Sequence, residues 1–182
     1  MIFWPFVIVY FTLVGGWLFA LCLTAAKGPI PPPDDHPPSN VTRIKIMNAL
    51  EVTQASFDAW NSHDADAILA LYADGGTYSA PRAGEELTGK AIAKYVKALS
   101  TAYPDFSIET ISSGDTGGGF VATQWVFHGT HTGPYFDGTP PTNRTVTLPG
   151  ATFTQVENGK IHYERVYTDR QTVTEQLGFK PK

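Results

Sequence analysis

The stretch from Ile161 to Asp169 carries an unusual set of reactive side chains for a β-strand. In a regular strand, alternate residues share one face, and here that face holds Tyr163, Arg165, Tyr167 and Asp169. A strand that only filled a core would repeat aliphatic residues at these positions. Because buried ionisable groups cost free energy unless they are paired or hydrated, this face predicts a polar pocket with a carboxylate and a guanidinium in its wall.

Asp169 and Arg165 each have a structural alternative. Asp169 could act on a substrate, pair with Arg165, or cap a terminal helix that starts at residue 170. Four-residue spacing along a strand separates the two backbone positions by roughly 13 Å, so a direct ion pair would require both side chains to lean. Arg165 could instead bind a substrate carbonyl or carboxylate, or pair with Glu164 of a neighbouring chain.

His131 is a second candidate, at the end of a predicted strand over 119–131 and on the same face as Trp125. An imidazole there could polarise a carbonyl group or move a proton near neutral pH, or it could order the following loop by hydrogen bonding. His128 falls on the opposite face, so the two rings do not converge and no metal site is expected. Core packing is the simpler explanation for any single aromatic residue, but several could line the pocket: Trp60, Tyr78, Trp125, Tyr163 and Tyr167.

The sequence predicts three helices, then long strands, then a last helix. Apolar residues at helical spacing indicate a first helix at about 41–61, and Asp64 can cap a second, shorter one. A short strand at 77–79 precedes a third helix at about 89–102. The remaining predicted elements are strands at 105–114, 119–131, 144–157 and 160–168, and a closing helix at about 170–177.

Segregated helices and strands indicate an α+β domain, in which helices pack on one face of a curved antiparallel sheet. Such a sheet can wrap around the long first helix and form a cone. The open end of a cone is a natural place for a ligand, so the predicted polar pocket and the predicted architecture agree.

Two segments precede this domain. Residues 2–26 contain no charged side chain and would span about 37 Å as a helix, enough for a bilayer core of about 30 Å. We therefore expect residues 1–27 to form a hydrophobic helix that anchors the chain in a membrane as a single-pass protein. The alternative is a signal peptide, with secretion after its cleavage. Half of residues 28–39 are proline, which predicts an extended linker and leaves 40–182 for the domain.

Composition excludes several classes of function. The net charge of −4, with no stripe of Lys or Arg, offers no surface for nucleic acid. The one cysteine, Cys22, lies in the apolar N-terminal run, so the domain has no disulfide, thiolate metal site or cysteine nucleophile. The sequence contains no glycine-rich phosphate loop, nucleophile elbow or metal-binding cluster. An enzyme of this sequence is therefore expected to work without a cofactor.

Several short motifs form an ordered set along residues 42–179. The first half contains Ala59-Trp60-Asn61-Ser62-His63-Asp64 and then Leu69-Ala70-Leu71-Tyr72-Ala73. The second half contains Gly129-Thr130-His131-Thr132-Gly133, Pro140-Pro141-Thr142, Arg144, Gly159-Lys160-Ile161 and the ending Gln176-Leu177-Gly178. This set resembles the SnoaL-like polyketide cyclases of the nuclear transport factor 2-like superfamily. The resemblance implies a cone of helices on a curved sheet, and it leaves residues 1–39 without a counterpart.

The resemblance also implies a chemistry. In these cyclases an aspartate late in the last strand is general acid and base in an intramolecular aldol ring closure, and Asp169 matches it by its distance from the Gln-Leu-Gly ending. We expect a cofactor-free cyclase or isomerase for a small hydrophobic carbonyl compound, with His131 and Arg165 holding the oxygen. The alternative is a non-catalytic module that binds a hydrophobic ligand or dimerises at a membrane. We also expect a homodimer that is attached to the membrane through residues 2–26.

Overall fold

The computed structural model describes residues 47–179, and the predicted anchor and linker lie outside this range. Among the residues that it describes, no helix is long and apolar enough to cross a membrane. The helices are α1 (Ala49–Asn61), α2 (Ala65–Leu71), α3 (Lys90–Ala102) and α4 (Arg170–Leu177). The strands are β1 (Tyr72–Ser79), β2 (Leu87–Thr88), β3 (Ser107–Asp115), β4 (Phe120–Thr130), β5 (Thr145–Glu157) and β6 (Lys160–Thr168).

The strands form one curved sheet in the order β2-β1-β6-β5-β4-β3. β3 to β6 are an antiparallel meander, but β1 runs parallel to β6 through the pairs Thr77–Tyr163 and Tyr78–Glu164. The predicted α+β architecture is confirmed, whereas the prediction of an antiparallel sheet is wrong at this pair. No tight turn fixes the direction of β1 against β6, because β2, α3 and the first three strands of the meander lie between them in the chain.

Helix α1 supplies one wall of the core. It begins at Ala49, because the Asn48 side chain accepts a hydrogen bond from the backbone N–H of Glu51 at 2.9 Å and the Glu51 carboxylate accepts one from the backbone N–H of Asn48. Its buried stripe repeats every three or four residues and faces β3, β4 and β5. The opposing sheet residues alternate along β4 and β5, as the period-two pattern predicted: Val121, Thr123, Trp125, Phe127, Val146, Leu148, Thr152, Thr154 and Val156.

The turn after α1 fixes the helix to the sheet. The Asn61 side chain donates to the carbonyl oxygen of Ile108 at 3.0 Å and accepts from the N–H of the same residue at 2.6 Å. His63 Nε2 lies 3.0 Å from the carbonyl oxygen of Phe106. Asp64 caps α2 by accepting from two backbone N–H groups. This run, which contributed to the family resemblance, therefore has a structural role in joining α1, α2 and β3.

One extra residue in β6 changes the face that this strand presents to the helices. β5 pairs Gln155 with Tyr163 and Val156 with Ile161, which leaves His162 as a β-bulge. Side chains alternate across a strand, so an inserted residue moves every later side chain to the opposite face. The inward position therefore passes from odd-numbered to even-numbered residues beyond Ile161.

We predicted that the odd-numbered residues of 161–169 face the pocket. This prediction is wrong for every one of them after Ile161. Glu164, Val166 and Thr168 are buried or half-buried, while Arg165 is exposed and 55% of the surface of Tyr167 is exposed. The outer face of the sheet carries a group of rings instead of a pocket wall. Its contacts are Tyr163 with Phe120 at 6.1 Å, Tyr167 with Phe153 at 5.6 Å, and the Arg165 guanidinium over Tyr163 at 5.6 Å.

Substitution of Gly150 by alanine would test how closely the interior of the sheet is packed. Gly150 lies opposite Trp125 in register, and a methyl group there would overlap the Trp125 indole and come within 2.9 Å of Thr168 Cγ2. We expect Gly150→Ala to lower the free energy of unfolding by about 1–3 kcal/mol through overpacking, measured by urea denaturation. Gly114→Ala is the matched control, since a methyl group there meets nothing within 4 Å. Equal losses in the two variants would contradict the close Gly150–Trp125 packing.

Candidate functional site

A cavity of about 90 Å³ lies between the helices and the inner face of the sheet. Its wall is mostly aromatic and aliphatic, and it is built by α1, β1, α3, the meander and α4. Three of the predicted pocket residues line it, namely Trp60, Tyr78 and Trp125. The Trp125 indole N–H donates to the Thr152 hydroxyl at 2.8 Å, which holds the ring in place. The cavity therefore lies where the sequence predicted a pocket, although its polar residues are different ones.

Glu164 is the carboxyl group of this cavity; no other described residue that lines it carries one. Its side chain reaches the interior because of the bulge, and only 4% of the residue is exposed. The Ser56 hydroxyl donates to Glu164 Oε2 at 3.5 Å, and the Tyr72 hydroxyl adjoins the carboxyl without a well-aligned hydrogen bond. Burial raises the pKa of Glu164 to about 7, although the Tyr72 and Ser56 hydroxyls act in the opposite direction. Near neutral pH this group can both accept and donate a proton.

Two phenols lie in the same wall, the buried Tyr78 and the half-buried Tyr95. The Tyr78 ring is 5.7 Å from Trp60 and 5.4 Å from Tyr95. Burial raises the pKa of Tyr95 to about 12, and burial, together with the neighbouring Tyr95 and Glu164, raises the pKa of Tyr78 well above its usual value. Both phenols therefore stay protonated at neutral pH. A protonated phenol in an apolar cavity is a suitable hydrogen-bond donor for a negative charge that develops on an oxygen atom.

Arg82 is the guanidinium of this wall, and it comes from the irregular segment between β1 and β2. Its Cζ lies 5.1 Å from the centroid of the Tyr135 ring. Its terminal nitrogen Nη2 is buried and has no hydrogen-bond partner. Burial lowers the pKa of Arg82, but an arginine starts from so high a value that the group stays charged.

Asp169 lies outside this cavity and caps α4. Oδ1 accepts from the backbone N–H of Gln171 at 2.9 Å, and Oδ2 accepts from the hydroxyl of Thr172 at 2.7 Å. The Thr172 hydroxyl and these backbone groups lower the pKa of the exposed carboxyl. The predicted position in the pocket wall is wrong, because β6 presents its even-numbered residues inward. The predicted acid–base role stays a prediction that this placement does not favour.

His131 is fully buried, but it is not among the residues that line the cavity. The backbone N–H of Thr142 donates to His131 Nδ1 at 3.1 Å, so the neutral ring carries its proton on Nε2, which has no partner. Burial lowers the pKa of this imidazole. Further backbone hydrogen bonds join His131 to Asn143 and Arg144. The ring therefore orders the loop of residues 131–144, which was the structural alternative for this histidine.

The site residues that the sequence analysis missed are Glu164, Arg82 and Tyr95. Tyr95 could have been found, because it belongs to the predicted helix and shares its buried stripe. Glu164 alternates with Val166 and Thr168, but only the strand pairing reveals that this face turns inward. No local signal distinguishes Arg82 from an ordinary loop arginine. Among residues 47–179 there is also no cluster of His, Cys, Asp or Glu that could hold a metal ion.

The ordered motifs now have an independent test. The sequence profile of the SnoaL-like polyketide cyclases matches residues 50–177. The chain belongs to this family. The match covers the whole helical layer and the whole sheet, so the cavity around Glu164 is the internal cavity of a SnoaL-like domain. No curated protein shows significant sequence similarity to the chain.

Solved structures share the fold of this SnoaL-like domain. A protein of Xanthomonas campestris pv. campestris, provisionally assigned as a polyketide cyclase, is 26% identical, with a TM-score of 0.64 over 71% of this chain and 96% of that one. IdmH of Streptomyces antibioticus, which has the same provisional assignment, is 24% identical, with a TM-score of 0.63 over 72% of this chain and 99% of that one. A SnoaL-like protein of Jannaschia sp. CCS1 is 20% identical, with a TM-score of 0.65 over 73% and 93%. The nuclear transport factor 2-like architecture is therefore confirmed.

Glu164 should make the stability of the domain depend on pH. Its pKa is raised from 4.5 to about 7, so the native state binds the proton more tightly than the unfolded chain does. The contribution of Glu164 to the free energy of unfolding should therefore fall as pH rises between these values, by an amount on the order of 3 kcal/mol. We expect Glu164→Gln to remove this fall, measured by urea denaturation from about pH 4.5 to about pH 8.

The control for this measurement is Glu86→Gln, an exposed carboxylate before β2. This variant should keep the pH dependence of the natural protein. An unchanged profile in Glu164→Gln would show that the Glu164 carboxyl is hydrated, and would contradict its burial.

Proposed function

We propose that this SnoaL-like domain transfers a proton next to the carbonyl group of a small hydrophobic compound, without a cofactor, and so promotes cyclisation or isomerisation. The observation that supports this proposal is Glu164, a fully buried carboxyl group with a pKa of about 7 in the wall of an aromatic cavity. A carboxyl group with that pKa can act as a base and as an acid in one catalytic cycle at neutral pH. Glu164 thus takes the role that the sequence analysis assigned to Asp169.

The proposed reaction begins when the Glu164 carboxylate removes a proton from the carbon next to the carbonyl group. The electron pair of the broken C–H bond moves toward the oxygen, which becomes an enolate. The Tyr78 and Tyr95 hydroxyls can donate hydrogen bonds to this oxygen, in a cavity whose wall is mostly apolar.

The second step consumes the enolate and returns the proton. In an isomerisation, Glu164 gives its proton to a different carbon of the same molecule. In an aldol cyclisation, the enolate carbon attacks a second carbonyl carbon within the molecule, and Glu164 protonates the resulting alkoxide. Both routes restore the Glu164 carboxylate and need no oxidant, reductant or metal ion.

The volume of the cavity favours a second candidate function, the binding of a hydrophobic ligand without chemistry. At about 90 Å³ the cavity is smaller than the usual ligand site of roughly 300–1,000 Å³. A bicyclic or tricyclic substrate would need the wall to open, whereas a small apolar molecule would not. The proton-exchange experiment below separates the two functions.

The assembly and location of the chain stay predictions. We retain the proposal of a homodimer, for which the outer sheet face with the exposed Ile111 and Tyr167 is one surface to test. We also retain the proposal of a single-pass membrane protein, with secretion after cleavage as the alternative. The proposed location depends on residues 2–26, which lie outside the described range.

Glu164→Gln is the variant that tests the reaction. A panel of small hydrophobic ketones is incubated with the protein in heavy water, and NMR follows the exchange of the protons next to the carbonyl group for deuterium. We expect the natural protein to accelerate exchange for at least one ketone, and Glu164→Gln to reduce the accelerated rate by about 100-fold or more.

Asp169→Asn is the matched comparison, because it changes the carboxyl group that the sequence analysis favoured. It should keep its exchange rate within a few-fold and nearly all of its stability, because asparagine caps a helix about as well as aspartate does. Loss of exchange in Asp169→Asn alone would assign the acid–base role to Asp169. Binding of ketones without any exchange would favour the non-catalytic module.

A further inference from the structure

A groove lies beside the cavity, between the 131–144 loop and α4. Its volume, about 960 Å³, is much larger than that of the cavity. Its walls include Tyr135 and Phe136 from the loop and Arg170 from the helix. Arg82 lines both the groove and the cavity, and is the one described residue that they share. A molecule that reached from the cavity into the groove would therefore pass the Arg82 guanidinium.

The Arg82 side chain is held in place but is not satisfied. Its guanidinium lies over the Tyr135 ring, which fixes its plane. Its Nη2 atom is buried and has no hydrogen-bond partner. A buried donor without a partner costs free energy, and the cost is larger for a charged group. This donor would gain a strong interaction from an oxygen atom of a ligand.

The charges around Arg82 leave it available for an anion. Arg170 adds a second positive charge, and its electrostatic effect on Arg82 is larger than the opposing effect of Asp137. The two acidic groups of the groove have other donors. Asp137 accepts from the Thr139 hydroxyl at 2.6 Å, and Glu175 accepts from the Gln171 amide at 2.6 Å.

We propose that Arg82, supported by Arg170, is an anion subsite at the junction of cavity and groove, and that the substrate of this domain is a keto acid. The carbonyl end would occupy the cavity near Glu164, and the carboxylate would lie on the Arg82 guanidinium. The position of the carbonyl group rests on the proposed function, whereas the anion subsite rests on Arg82 and Arg170 and does not depend on Glu164.

A carboxylate fits the subsite better than a phosphate does. One partly buried guanidinium can neutralise one negative charge and can bind two oxygen atoms with its planar fork. A phosphate monoester carries close to two charges at neutral pH, and the second would remain without a buried partner. Arg170 is exposed and would contribute mainly through its charge.

Binding of matched acids and esters to the full-length chain tests the proposal. The probes are levulinate and benzoylpropionate, their methyl esters, and inorganic phosphate as a competitor, followed by isothermal titration calorimetry. We expect each acid to bind at least about tenfold more tightly than its ester, with a preference that weakens as salt is added. Phosphate should not displace the acids at comparable concentrations.

Three variants locate the subsite. Arg82→Gln should abolish the preference for acid over ester, and Arg82→Lys should retain part of it, because the charge stays but the fork is lost. Arg165→Gln is the matched control, since Arg165 lies on the outer face of the sheet and should not affect binding. Circular dichroism of each variant shows whether it has folded.

Several outcomes would overturn the proposal: equal affinity for acids and esters, no saturable binding of either acid, a preference that survives Arg82→Gln, or displacement by phosphate. Glu164→Gln separates this proposal from the reaction, because it should stop proton exchange and keep the acid preference. Acid preference without exchange in the natural protein would reject the reaction and keep the subsite. Equal rates of proton exchange for acids and esters would keep the reaction and reject the subsite.

Discussion

The burial of the Glu164 carboxyl group is the interaction to which the other features of the site are adjusted. A carboxyl group in an apolar interior is tolerated only when it is protonated or when polar groups surround it. Here the Ser56 hydroxyl from α1 and the Tyr72 hydroxyl from β1 approach it, and neither compensates fully for the loss of water. The group is left near the midpoint of its titration at neutral pH, so the same burial that strains the fold prepares a proton-transfer group.

The fold places each neighbour of Glu164 through a different element. Ser56 lies one helical turn before Trp60 on the buried stripe of α1, and a residue this small leaves room for the carboxyl group. The parallel pairing of β1 with β6 sets Tyr78 directly beside Glu164. Because these positions come from the helix register and from strand pairing, a small shift of either element would change the chemistry of the cavity before it changed the architecture.

The sequence predicted correctly those elements in which buried residues recur at a regular helical or strand spacing. The long strands and the last three helices fall within a few residues of their predicted bounds. Trp60 lines the cavity because it continues the buried stripe of a helix, and Trp125 because it continues the alternation of a strand. The prediction failed at β6, because the bulge at His162 is a property of its pairing with β5 and is not visible in the local sequence. Asp169 was misplaced for the same reason. Arg82 was missed because its loop has no periodicity, and only the packed structure shows that its nitrogen is buried.

The burial of His131 has a consequence for the range of conditions in which the domain can work. The ring accepts a hydrogen bond from the backbone of the 131–144 loop only while it is neutral. Burial lowers the pKa of the ring, and protonation in acid would break this hydrogen bond. Glu164 has the opposite linkage, since its pKa is raised to about 7 and a rise of pH through neutrality charges the interior. Stability contributed by neutral His131 is lost as pH falls, and stability contributed by protonated Glu164 is lost as pH rises. Between about pH 4.5 and 6.5 the two linkages therefore oppose each other, so the pH dependence of the whole domain there is smaller than either group alone would give.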